Sequence, residues 1–202
     1  MTEPAKLVLF SCLAWLLMLG RSCSAEASTD RAVERVHAVL VAMAPYSAEP
    51  PPGETPEQRA GRLRSPARAA VQATSDPLIR AAVLVQGKHE SRYARYVGEG
   101  RCSEGPRGSR CDPDRAGKPR AATYWQVWRA ACPAAHAVPP GTERDRAAAR
   151  CTAALLRYFV RECGSLEGAF HALKSGCPHR SKSPAVWAVT RAREARALAG
   201  RM

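Results

Sequence analysis

Apolar positions along this chain recur at helical rather than strand spacing. In "TDRAVERVHAVLVAMAP", Val33, Val36, Leu40 and Met43 fall on one stripe, which predicts an amphipathic helix closed by Pro45. The proline-rich "SAEPPPGE" breaks the pattern. "TPEQ" then supplies a capping box, with Thr55 as N-cap, Pro56 at the first helical position and Gln58 reaching back. "SPARAAVQA" repeats the Ser-Pro start, and "SDPLIRAAVLVQGKHE" offers another, with Pro77 opening a helix that is apolar nearly all round. Such a helix is usually buried. Further on, "ERDRAAARCTAALLRYFVREC" sets Ala148, Cys151, Leu155, Tyr158 and Phe159 in register, with Gly164 as its C-cap. "SLEGAFHALKSG" predicts a short helix from a Ser165 cap to Gly176, and "SPAVWAVTRAREARALAG" a last one opened by Ser183-Pro184. No segment alternates as a strand would, so the fold class is all-α.

One stretch has no periodicity. From Val97 to Pro119 the chain is rich in Gly, Pro, Arg and Asp, which predicts a long loop, with room for a small hairpin, closed by Cys102 and Cys111. The aromatic-rich "AATYWQVW" follows it.

The N-terminus adds a compartment. Lys6 precedes a 13-residue apolar run from Leu7 to Leu19, shorter than the roughly 20 residues a bilayer span needs. "CSA" at Cys23 to Ala25 offers small residues for cleavage, so residues 1–25 read as a secretory signal. The alternatives are an uncleaved anchor, a buried helix, or a lipoprotein through Cys23, although Arg21 spoils the lipobox. Six cysteines remain beyond the leader: Cys102, Cys111, Cys132, Cys151, Cys163 and Cys177. An even number in an exported chain predicts disulfides, and proximity pairs Cys102–Cys111, Cys132–Cys151 and Cys163–Cys177. No CxxC occurs and the spacings fit no zinc module, so no metal site and no cofactor are expected. The localisation expected is secreted or periplasmic. The chain divides into the signal at 1–25, a helical arm with its Pro-rich break at 26–76, and a main domain at 77–202.

Charge narrows the partners. The 31 Lys+Arg against 18 Asp+Glu give +13. After cleavage behind Ala25 the balance is +12, from 29 basic and 17 acidic residues. A field of this sign favours an anionic partner. Aromatic residues are 6% of the chain, thin for a stacking platform, and no helix-turn-helix stands out, so nucleic acid is not the expected partner. The Arg191, Arg193, Arg196, Arg201 series reads most simply as a solvated helix face.

The candidate chemistry sits in "QGKHESRYARYV". Glu90 emerges where the apolar helix, with Leu84 and Val85, meets a loop. Desolvation there favours the neutral carboxyl, and a neutral carboxyl can protonate a glycosidic oxygen. The plain alternative is a solvated glutamate at a helix end. Glu90-Ser91-Arg92-Tyr93, then Tyr124-Trp125-Gln126-Val127, then Ala169-Phe170-His171 with Gly176, follow one another in an order that resembles the lytic transglycosylase family of the lysozyme-like superfamily. The resemblance covers roughly residues 77–180. It implies a lysozyme-like domain that cleaves peptidoglycan between N-acetylmuramic acid and N-acetylglucosamine. Glu90 would be general acid and then base, and the sugar's own hydroxyl the nucleophile, giving an anhydro product. Ser91 would orient the acid or an N-acetyl group. Tyr124, Trp125 and Gln126 would line the sugar cleft, with Phe170 and His171 in the third motif. Thr123 stands where the family has Gly, and Phe170 where it has Tyr. A second carboxylate, if hydrolysis is the outcome, would come from Glu99, Glu104, Asp112 or Asp114.

Each of these residues also has a plain reading: Trp125 and Trp128 as core, His89 and His171 as hydrogen-bonded surface groups. The expected partners are peptidoglycan and anionic wall polymers, with no stable membrane span after cleavage. The rival functions are an inactive relative or wall-binding, secretion-associated module with the same fold, and a cationic protein acting on membranes or nucleic acid by charge.

Overall fold

Three side-chain caps set where the early and middle helices begin, and each is legible in the sequence. Thr55 forms both halves of its capping box with Gln58 and opens α2, Pro56–Ala73. Asp76 accepts from the backbone of Leu78 and Ile79 and opens α3, Pro77–Ser91. Ser165 accepts from Gly168 N and opens α7, Leu166–Ser175. The computed structural model describes residues 27–43, 54–93, 95–98, 121–178 and 183–202. The leader, the Pro-rich break, Cys102, Cys111, Glu99, Glu104, Asp112 and Asp114 lie outside the described residues.

The remaining elements are α1 (27–43), α4 (Arg95–Gly98), β1 (Ala121–Ala122), β2 (Val127–Trp128), α5 (Pro133–Ala137), α6 (Thr142–Cys163) and α8 (Val186–Ala199). The all-α expectation holds. The strand content described is one antiparallel pair, Ala121 opposite Trp128 and Ala122 opposite Val127. The described hairpin therefore lies at 121–128, after the expected 97–119 loop, of which only Val97 and Gly98 are described.

The long α6 is the spine. α2 runs along it, α7 and α5 pack on it, and α3 lies between it and α8. The facing positions are mostly alanine: Ala67 and Ala70 on α2, Ala81 and Ala82 on α3, Ala148, Ala149 and Ala153 on α6, Ala188, Ala192 and Ala195 on α8. Small side chains at crossings let helix axes approach closely. This corrects the register expected for α6. Its buried face is Ala148, Ala149, Thr152, Ala153 and Leu156, while Tyr158 is exposed and Leu155 and Phe159 sit at the flank.

Two further expectations change. "SPARA" does not start a helix, because α2 runs through Pro66. Ser65 spends its hydroxyl on Asp145 Oδ2 of α6 at 2.8 Å instead of capping. A proline in a helix interior costs on the order of 3 kcal/mol, and burial of Leu63, Ala67 and Ala70 on both sides of it offsets that cost. Nor is residue 76 a break in packing. Val36, Leu40 and Leu63 belong to the same core cluster as Leu84, Trp125 and Phe170, so the arm is part of the domain.

Two disulfides match the proximity pairing: Cys132–Cys151 (Cα–Cα 5.9 Å) and Cys163–Cys177 (5.4 Å). Among the described residues no helix is long and apolar enough to cross a membrane, and no group of three or more His, Cys, Asp or Glu could hold a metal ion.

Candidate active site

The site begins with how α3 stops. Ser91 Oγ donates to Gly87 O (2.9 Å) and accepts from Tyr93 N (3.0 Å), and Arg92 and Tyr93 both take left-handed φ values, 52° and 53°. The chain thereby turns back under the helix. The Tyr93 hydroxyl then reaches Leu84 O at 2.9 Å, and its ring lies beside Tyr124 and edge-on to Trp125. Glu90, one residue before the end of α3, is left pointing away from this buried wedge, with its side chain 16% exposed.

The hairpin is pinned to the same helix. Trp125 Nε1 donates to Val83 O at 2.8 Å. Between the strands, Thr123 and Gln126 adopt φ values of 67° and 51°, and Gln126 bonds back to Thr123 O through both its backbone N and its Nε2. A β-branched residue at positive φ is strained, by about 1–3 kcal/mol. A glycine would adopt that conformation without strain, which is the physical content of the Thr123 departure noted in the sequence.

Between α3, the hairpin, α6 and α7 lies a cleft of about 600 Å³. Glu90, Gln86, Gln126 and Lys174 supply its polar groups, Leu155 and Phe159 part of its apolar wall, and the exposed Trp128 stands at it as well. Among the described residues Glu90 is the one carboxylate lining it.

Glu90 is not held by hydrocarbon alone, as its apolar helix implied. Its Oε1 accepts from Arg191 Nη1 at 2.7 Å and lies 3.4 Å from Lys174 Nζ. Arg191 is itself buried on α8 (side chain 7% exposed), also donates to Gln86 Oε1 at 2.9 Å, and lies 4.9 Å from the Trp187 ring centroid. Its Nε is buried with no hydrogen-bond partner among the described residues. Both cations meet Oε1, and no side chain among the described residues hydrogen-bonds Oε2. Beside the site, Glu194 takes Lys88 and His89. Burial pushes its carboxyl up, but the hydrogen bonds and charges of those two residues outweigh it and hold the carboxyl below its ordinary value.

Glu90, Trp125 and Gln126 are thus brought to one cleft, though Trp125 is almost wholly buried. The other expected site residues are not. Ser91 is buried and ends the helix, so it does not orient the acid. Tyr124 is core: its hydroxyl accepts from Arg62 at 2.9 Å. Phe170 is fully buried in the core cluster. His171 accepts from Ala185 N at 3.0 Å and stacks on Trp187, bracing the start of α8. The sequence reading missed Gln86, Lys174 and above all Arg191, which is not on a solvated face. Its signal was present: Arg191 falls within the Ala188, Ala192, Ala195 stripe, and an arginine in an apolar stripe needs a buried acceptor. No family model, characterised protein or solved structure matches the chain.

An all-α, disulfide-linked domain in which Glu90 is, among the described residues, the one carboxylate of an apolar-walled cleft can exchange a proton with a bound neutral ligand through that carboxyl. It can also hold such a ligand by Gln86, Gln126 and Trp128.

Proposed function

We propose that this protein cleaves the glycan strands of peptidoglycan between N-acetylmuramic acid and N-acetylglucosamine, with Glu90 as general acid and then base. The observation that carries the reading is the placing of Glu90 in an apolar-walled cleft, with Arg191 and Lys174 on Oε1 and no hydrogen bond to Oε2 among the described residues. In the first step Oε2–H protonates the glycosidic oxygen as the C1–O bond breaks. In the second, Oε2 takes the proton from the sugar hydroxyl that closes on C1, and the enzyme regains its starting state. Water in place of that hydroxyl gives a reducing end. Ordinary glycosidases use two carboxylates. Among the described residues Glu90 is the one carboxylate lining the cleft, and the anhydro or reducing end of the product tells the intramolecular route from hydrolysis. The strongly basic chain suits an anionic wall, and the two disulfides suit an oxidising compartment outside the cytoplasm.

A second reading has its own observation. The Arg191–Glu90 ion pair, with Phe170 buried where the resembled family has tyrosine, fits a cleft that binds wall glycan without cutting it. Glu90→Gln keeps size and shape. We expect it to lower muropeptide release from purified peptidoglycan by about 10²–10⁴ while glycan binding persists. Products should carry anhydro ends. Wall binding by the parent without any release establishes the binding module instead.

A further inference from the structure

A second concavity, of about 770 Å³, lies where α1, the end of α2, the start of α3 and α6 meet. Among the described residues its lining contains four arginines, Arg80, Arg146, Arg150 and Arg157, and no acidic residue. At about 100° per residue, Arg146, Arg150 and Arg157 project from the side of α6 opposite Thr152, Leu155 and Phe159, so this groove backs onto the helix that walls the Glu90 cleft.

Three of the four guanidinium groups are held on neutral acceptors. Arg80 donates Nε and Nη2 to Thr74 O at 3.3 and 2.8 Å. Arg157 Nη2 bonds Thr74 Oγ1, and Arg146 Nε bonds Gln72 Oε1 at 2.8 Å. Among the described residues one carboxylate reaches the row, the exposed Glu143, on Arg146 Nη1 at 2.9 Å. Arg80, Arg150 and Arg157 have no ion-pair partner among the described residues. Burial lowers the proton affinity of Arg80, with a smaller contribution from Arg35 in the same direction and Asp76 opposing both. Arginines of one sign, three of them held on neutral acceptors and Arg150 exposed beside them, present the guanidinium forks that match phosphate oxygens.

We propose that this groove binds a linear chain of phosphate groups. The extent of the row argues for a chain over a single ion: Arg146 to Arg157 spans 11 residues of α6, roughly 16 Å at 1.5 Å per residue. The lining contains no aromatic side chain on which a base could stack, and stacking is what single-stranded nucleic acid uses. The ligand class is therefore a base-free polyphosphate or polyol-phosphate polymer. This does not depend on what the Glu90 cleft does.

The test uses the full chain with two labelled probes, inorganic polyphosphate and a glycerol-phosphate polymer, in a salt titration. Arg150→Ala/Arg157→Ala should weaken binding at least tenfold and reduce the slope of log affinity against log salt by about two, one for each lost phosphate contact. Arg193→Ala/Arg201→Ala removes the same charge from α8 and the C-terminus and should change affinity less than twofold. Preference for one probe identifies which polymer is the ligand. An equal loss in both variants overturns the site in favour of diffuse charge. Displacement of the polymers by millimolar inorganic phosphate overturns the chain in favour of one oxyanion. Tighter binding of single-stranded DNA, lost on the same substitutions, overturns the base-free class.

Discussion

Buried charge in this molecule is handled residue by residue, and two cases differ. Arg191 is buried with a carboxylate and an amide on its Nη1. Asp145, on α6, is buried with a hydroxyl: burial pushes its carboxyl up to about 6, against the lowering effects of the Ser65 hydrogen bond and of Arg62 and Arg144. A raised carboxyl destabilises the folded state above its folded pKa. The native state keeps the proton between the ordinary carboxyl value and about 6, where the unfolded chain has already lost it. Stability should therefore fall as pH rises through that window, by on the order of 2–3 kcal/mol from this residue. Chemical denaturation of Asp145→Asn should show the slope between pH 4 and 6 flattened relative to the parent; an unchanged slope would refute the assignment. Legibility at this scale followed local context. Glu90 could be read because an apolar helix ran into it. The Asp145–Ser65 and Glu90–Arg191 pairs could not, because partners 80 and 101 residues away leave no local pattern.

At the scale of elements, chain stops carry the site. α3 ends where it does because Tyr93 folds back against Gly87. A Cβ at residue 87 would lie 2.5 Å from the Tyr93 hydroxyl oxygen and 2.6 Å from Cζ, and that ring is fully buried. Helix propensity alone makes Gly→Ala favourable by about 0.5–1 kcal/mol, whereas overpacking costs about 1–3 kcal/mol. Packing should win, so Gly87→Ala should lower Tm by several degrees in a thermal melt, and a rise would show that the wedge yields. Capped helices were readable because caps are local chemistry: Thr55 and Ser165 act as expected. Pro66 misled because a local start signal was overridden by an apolar stripe continuing on both sides of it. The hairpin at 121–128, as distinct from one within the loop before it, could not be placed because strands of two residues, turned through left-handed Thr123 and Gln126, have no alternation to detect.

At the scale of the whole molecule, both described disulfides hang from α6 but do different things. Cys132–Cys151 ties the segment after the hairpin, with cleft-lining Ala130 and Ala131, to α6 beside cleft-lining Thr152 and Leu155. Cys163–Cys177 clamps the end of α6 to the segment after α7. Their sequence separations are similar, 19 and 14. Loop-closure entropy therefore assigns both about 3 kcal/mol, and removal of either should lower Tm by roughly 6–12 °C for a chain of this size. Function should separate them. At a temperature well below both transitions, Cys132→Ser/Cys151→Ser should weaken the proposed glycan binding, because one wall of the cleft is no longer fixed to the other. Cys163→Ser/Cys177→Ser should leave it near the parent value, since neither cysteine adjoins a cleft-lining residue in the chain, as Cys132 adjoins Ala131 and Cys151 adjoins Thr152. Equal binding losses in the two variants at matched folded fraction would mean that the cleft is held by the core as a whole and not by the bridge at its edge.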